Sequence, residues 1–200
     1  MPRSTSGSPR AIPSKQAKLL NCIAITILSL IVLVGLIVLI IWLVVRPKGL
    51  AYTIEEGSIH GYDLKDNRLN ATFDFVLRSS NPNGKVSLYY DYIKVSVSYD
   101  DETIAFDLVE PFFQPRRNVT RYEVKPVARS VPLMGSLAKN IRRERSSGKF
   151  VFEVRVKARI RFKVGIMKLR RRTLRVLCSP VVVHMSSSKG FDWTRCDIDL

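Results

Sequence analysis

Residues 19–45 carry no charge, and the 23 residues from 23 to 45 are almost entirely Ile, Leu and Val. A helix of that length rises about 35 Å, enough to cross a hydrocarbon layer about 30 Å thick. A buried core helix would be shorter and would show a polar stripe, whereas the interruptions here are Thr26, Ser29, Gly35 and Trp42. A cleaved signal peptide has an apolar region of about 7 to 15 residues and ends in a small-residue site. This run ends in Trp42, Arg46, Pro47 and Lys48. It reads as an uncleaved signal anchor.

Charge predicts its orientation. Arg3, Arg10, Lys15 and Lys18 precede the span with no acid among them, whereas Arg46 and Lys48 after it are soon followed by Glu55 and Glu56. The expected organisation is a cytoplasmic basic tail over 1–18, a transmembrane anchor over 19–45 and an exterior domain over 46–200. Gly35 is the span's one glycine, so no Gly-based dimerisation spacing is present.

From residue 49 onward the chain keeps 27 of its 33 Lys+Arg and all 17 Asp+Glu, a net charge of +10. That length suffices for one domain with its own core, and that charge suits anionic partners. Nucleic acid is disfavoured by the span and by the lack of an aromatic-basic surface pattern.

Cys22 sits at the cytoplasmic edge of the span, where palmitoylation and an inert thiol are both open readings. Cys178 and Cys196 fall on the exterior side, where disulfides persist, and one pairing is available to them. A disulfide is expected, with two buried free thiols as the alternative. Two sequons, at Asn70 and Asn118, fit an exported domain.

Beyond residue 50 the apolar residues alternate with polar ones, the period of strands with one buried face. Leu69, Ala71, Phe73, Phe75 and Leu77 alternate with Asn70, Thr72, Asp74 and Arg78, which turns Asn70 outward. Asn81-Pro82-Asn83-Gly84 forms a turn cluster, with Pro fixing one φ and Asn and Gly tolerating positive φ. It can be read as a recognition loop or as a turn that sets register. Ile93, Val95, Val97 and Tyr99, then a turn at Asp101-Glu102, then Ile104, Phe106 and Leu108 predict a hairpin. The longest alternation, 149–164, exceeds the usual strand length and predicts a bulge or bend.

The outward side of that strand carries Arg155, Lys157, Arg159, Arg161 and Lys163, continued by Lys168, Arg170, Arg171, Arg172 and Arg175. It reads either as a binding surface or as a set of cations that guards an exposed sheet against aggregation. Pro132, Leu133, Leu137 and Ile141, with Gly148 as a stop, predict one short helix with Pro132 in its first turn. Residues 174–185 and 193–200 predict two strands around a Ser-rich loop.

Catalytic chemistry finds no footing. His60 and His184 are the only histidines, with no Cys or acid at ligand spacing, and neither a phosphate loop nor a nucleophile elbow is present. The paired carboxylates Glu55-Glu56 and Asp100-Asp101 belong to turns or strand ends. We expect no enzyme, no metal and no cofactor.

The order Arg46-Pro47-Lys48 after one span, Asn81-Pro82-Asn83 followed by Tyr89-Tyr90-Asp91, the strand 156–165 and the closing Cys178 and Cys196 resembles the plant NHL family. These are the harpin-induced and non-race-specific disease-resistance-like proteins. The resemblance implies a mainly β chain: an N-terminal transmembrane helix, then a late-embryogenesis-abundant group-two domain, an antiparallel β-sandwich of immunoglobulin/fibronectin-like type with one short helix. It further implies a plasma-membrane protein of plant defence, with some members at plasmodesmata. Without a long C-terminal apolar tail, a glycosylphosphatidylinositol anchor is not expected. Two functions remain: a binding or scaffold module meeting acidic wall polysaccharide, anionic lipid or surface proteins, and a structural tether between membrane and wall.

Overall fold

The computed structural model describes residues 14–45, 48–185 and 190–199. Arg3, Arg10, Arg46, Pro47 and residues 186–189 of the Ser-rich loop lie outside them. The chain divides into two units, Met1–Arg46 and Pro47–Leu200.

The first unit contains α1, Ser14–Val45. Its stretch Lys18–Ile40 is long and apolar enough to cross a membrane, and none of it is buried against protein. A polar interruption is absorbed locally, because the Thr26 hydroxyl donates to the Cys22 carbonyl at 2.7 Å.

The second unit holds ten strands and one helix. In chain order they are β1 (Ala51–Lys65), β2 (Arg68–Asn81), β3 (Val86–Tyr99), β4 (Glu102–Val109), β5 (Phe112–Gln114), β6 (Asn118–Val124), β7 (Val127–Pro132), α2 (Gly135–Ser147), β8 (Lys149–Val164), β9 (Met167–His184) and β10 (Thr194–Asp199). All pairings are antiparallel, in the order β1-β10-β9-β8-β3-β4-β7-β2-β6, with β5 on β3. β1 pairs both β10 and β2, so the path closes on itself. The mainly β, antiparallel architecture is the one expected. Hydrogen bonding among the described residues joins all ten strands into one network, and its weakest seam is the single pair Phe106 with Val127 between β4 and β7.

The alternation dictates the core. On β2, Leu69, Ala71, Phe73, Phe75 and Leu77 are buried, and on β8 every second residue from Phe150 to Ile160 is. Phe152 packs edge-on against Phe73 with centroids 5.2 Å apart, and against Phe150 and Tyr99 at 5.7 and 5.9 Å. The long β8 meets its partners through register shifts, between Tyr90 and Tyr92 on β3 and between Arg161 and Lys163 against β9. A further shift lies between Phe152 and Val154 against β9, and at all three points the extra residue stands on the partner strand, so the bulge expected within β8 falls on β3 and β9 instead.

Four further local expectations need correction. Pro132 ends β7 rather than opening the helix; α2 starts at Gly135 after an extended Met134, and buries Leu137, Ala138 and Ile141. Gly148 stops the helix as expected, in the left-handed region at φ 69° with its N–H on the Arg145 and Glu144 carbonyls. The β3–β4 turn is Asp100-Asp101, both at positive φ, one residue earlier than expected. A bulge at Val97/Ser98 then buries Ile104 and Ala105 in succession and turns Phe106 and Leu108 outward, because one extra residue flips every later side chain.

Asn81-Pro82-Asn83 makes the fourth. Asn81, Asn83 and Gly84 are not among the positive-φ residues, so left-handed backbone is not what the asparagines supply. They supply buried hydrogen bonds. Asn81 Nδ2 donates to the Val86 and Pro115 carbonyls, at 2.9 and 3.0 Å. Asn83 Nδ2 donates to the Asn81 Oδ1 and to the Lys48 carbonyl, while the Lys48 N–H donates back to Asn83 Oδ1 at 2.7 Å. The motif is a clasp that fixes where the chain enters the domain.

Candidate functional site

The five predicted cations do share one side of β8, but their surroundings differ. Arg155 lies between Asp101 and Glu153 and pairs with both. Arg161 pairs with Asp91, which Arg171 of β9 also approaches at 3.3 Å. Lys157 and Arg159 are exposed and Lys163 is half-buried, and none of the three has an acid partner among the described residues. The Arg159 guanidinium sits 6.0 Å from the Tyr92 ring centroid. Carboxylates thus hold two of the five, and the carboxylates beside Arg155 raise its pKa through hydrogen bonds to Asp101 and Glu153.

Strand pairing adds cations that the row alone does not show. Lys94 of β3 lies directly opposite Lys157, and Arg175 of β9 lies directly opposite it on the other side. Three like charges therefore cross three strands in one line. Lys94 rides over the Phe106 ring at 4.6 Å, and Arg175 is 3.6 Å from Asp199 at the edge. These cations and Arg155 border a groove of ≈ 640 Å³ that also takes in the exposed Leu177, with Asp197 and Asp199 on its β10 side. Lys94 and these acids join the site only through strand pairing, which alternation along one strand does not reveal.

Other predicted residues fall elsewhere. Cys178, buried on β9, and Cys196, half-buried on β10, are joined in a disulfide. Asn70 is exposed, with its Oδ1 accepting the Ser130 N–H at 2.7 Å; Asn118 is half-buried and accepts the Thr120 hydroxyl at 3.2 Å. His60 is exposed beside Asp74 at 3.4 Å, and His184 is half-buried at the end of β9. Among the described residues no group of three His, Cys, Asp or Glu could hold a metal.

A buried polar knot lies beside the clasp. The Tyr52 hydroxyl donates to the Tyr90 hydroxyl at 2.7 Å, Tyr90 reaches Ser79 and Gln114, and Gln114 Nε2 donates to the Ser79 carbonyl at 2.9 Å. Burial pushes the Tyr52 and Tyr90 hydroxyls above their ordinary range, so they stay protonated at neutral pH and offer no base. Every partner there is consumed by the fold. The cationic groove, by contrast, leaves Lys157 without an acid partner among the described residues.

Residues 76–179 match the family described as "Late embryogenesis abundant protein". An uncharacterized Arabidopsis thaliana protein is 36% identical over 92% of this chain and 86% of its own. NDR1/HIN1-like protein 10 of the same plant is 30% identical over 90% of this chain and 84% of its own, and NDR1/HIN1-like protein 3 is 28% identical over 86% and 78%. The chain belongs to the late embryogenesis abundant group-two proteins, among the NDR1/HIN1-like family.

Proposed function

We propose that this chain is a non-enzymatic binding module of plant defence, anchored in the plasma membrane by α1 with its N-terminus cytoplasmic and its β domain outside. Its basic sheet face binds acidic cell-wall polysaccharide. The carrying observation is the line Lys94, Lys157 and Arg175. Like charges directly opposite on neighbouring strands repel, and among the described residues only Arg175 of the three has an acid, Asp199, to offset it. A polyanion laid across them offsets that repulsion, and the exposed Leu177 gives a sugar ring apolar surface to cover. Family membership, the apolar α1, the exposed Asn70 sequon and the Cys178–Cys196 disulfide all fit residence at the cell surface or in plasmodesmata.

The test is retention of the full chain on pectate at low salt. Lys94→Gln, Lys157→Gln and Arg175→Gln together should release it, while Lys157→Arg should not. Unchanged retention of the folded triple variant overturns the assignment. If retention falls equally when any three surface cations are removed, charge alone is at work and the chain is a structural tether.

A further inference from the structure

We propose that the β8–β9 hairpin is a membrane finger: its apolar tip enters the lipid leaflet that faces the domain while the cations around its base meet the headgroup phosphates. The inference rests on α1 being a membrane anchor.

Among the described residues the domain has three two-residue hairpin turns. Two are polar, Asp66-Asn67 and Asp100-Asp101, all at positive φ as such turns require. The third is Gly165-Ile166 between Val164 and Met167. Gly165 meets the backbone requirement at φ 58°, but nothing in turn geometry asks for the isoleucine. Ile166 is 97% exposed, Met167 65% and Leu169 46%. From Gly165 to Thr173 every residue is exposed; Lys168 lies 5.4 Å from the Tyr89 ring centroid and Arg171 reaches Asp91, which leaves the apolar Ile166 bare at the tip.

Its position matters. Val164 pairs with Val86, three residues after Asn83, which clasps Lys48. The finger therefore stands at the end of the domain where the chain enters, and only residues 46 and 47 separate α1 from the clasped Lys48. No acid occurs between Glu153 and Asp192, nor in 47–54 or 82–90, the segments that meet there. Lys85, Arg116 and Lys163 surround an open cavity of ≈ 450 Å³ with Ser87 and the turn residue Gly165, and none of the three cations is ion-paired among the described residues. An apolar tip framed by unpaired cations matches a membrane surface with headgroup phosphates over hydrocarbon. Acidic polysaccharide would use the cations but would leave Ile166 and Met167 in water.

The experiment spin-labels the full chain at Ile166→Cys, on a Cys22→Ser background, in vesicles of phosphatidylcholine with or without phosphatidylserine. A label at Glu102→Cys, by the opposite turn, is the aqueous reference. We expect the label at 166 to become more accessible to oxygen than to a nickel chelate when phosphatidylserine is present, and the label at 102 to stay aqueous. Each cation near an anionic surface contributes roughly fivefold, so Lys163→Gln, Lys168→Gln and Arg170→Gln together should lower the docking equilibrium constant about 100-fold. If 166 is as aqueous as 102 in both vesicles, the finger is overturned. It is overturned equally if the triple variant loses pectate retention but keeps its lipid depth. Loss of the chain from vesicles after carbonate washing would overturn the anchor instead, and depth at 166 on vesicle-bound chain would still decide the finger.

Discussion

The β3–β4 and β8–β9 hairpins have the same construction and opposite chemistry. Both close with two residues, and both stand on buried alternating strands that pair with each other through β3 and β8. At one end of the sheet, Asp100 and Asp101 extend into water, and Asp101 holds Arg155. At the other, Gly165 supplies the positive φ and Ile166 stands bare. Turn geometry fixes the backbone at both ends and leaves the remaining side chains free, so what stands there reports on surroundings rather than on folding. One end is built for water. The other is cationic and apolar together.

The largest effect tests whether both hairpins hang on one core. Phe152→Ala removes a buried ring that touches Phe73, Phe150 and Tyr99, and should cost about 4 kcal/mol. Hydrogen exchange should show amides of both hairpins losing protection by the same amount. Selective loss in the acidic hairpin would mean that the ends are separate folding units.

The clasp and the Asp66-Asn67 turn between β1 and β2 set up the second contrast. Asn83→Ala deletes three side-chain hydrogen bonds, to Asn81 and to both backbone groups of Lys48, and should cost about 3 kcal/mol in urea unfolding. Asn67→Ala, at an exposed positive-φ turn bonded to Arg142, should cost about 1 kcal/mol. Equal losses would show that the entry end is held no more tightly than the far one.

Alkali probes the two ends through their tyrosines. Burial raises the Tyr52 and Tyr90 pKa values near the clasp; at the far end, burial and then Glu144 raise that of Tyr99. A tyrosine with a raised folded pKa keeps its proton in the native state after the unfolded chain has lost it. Stability should thus be level below the ordinary value of about 10 and fall above it, by about 1.4 kcal/mol per pH unit for each such group. Tyr99→Phe and Tyr90→Phe should each flatten that decline, and no change in either variant would remove buried tyrosine as its cause.

Much of the molecule is legible in its sequence, and the legible parts are local. The apolar helix α1, the strands with alternating patterns and the Gly148 stop are fixed by period and backbone preference. The side of β8 that faces outward is legible for the same reason. The pairing of Lys94 with Lys157, and of Arg155 with Asp101, is not, because two strands must be aligned before either appears. Asn81 and Asn83 pass for turn formers because turn-forming residues are also good buried hydrogen-bonding residues, and only burial distinguishes the uses. Phe106 and Leu108 pass for core residues because a one-residue bulge leaves no mark on alternation until the partner strand is known.

The smallest expected effect bears most directly on the two hairpins. Ile166→Thr keeps a β-branched residue at the same φ and removes apolar surface that is already 97% exposed. A residue with nothing packed on it has no folded-state contact to lose, so its unfolding free energy should stay within about 0.5 kcal/mol. Gly165→Ala, at φ 58°, should cost about 1 kcal/mol because a Cβ is strained there. The two neighbours then separate cleanly: one serves the turn, and the other serves nothing inside the domain. Urea titrations of both variants measure this. A loss above about 1 kcal/mol for Ile166→Thr would show that the side chain packs after all, and the contrast with Asp100-Asp101 would reduce to ordinary turn chemistry.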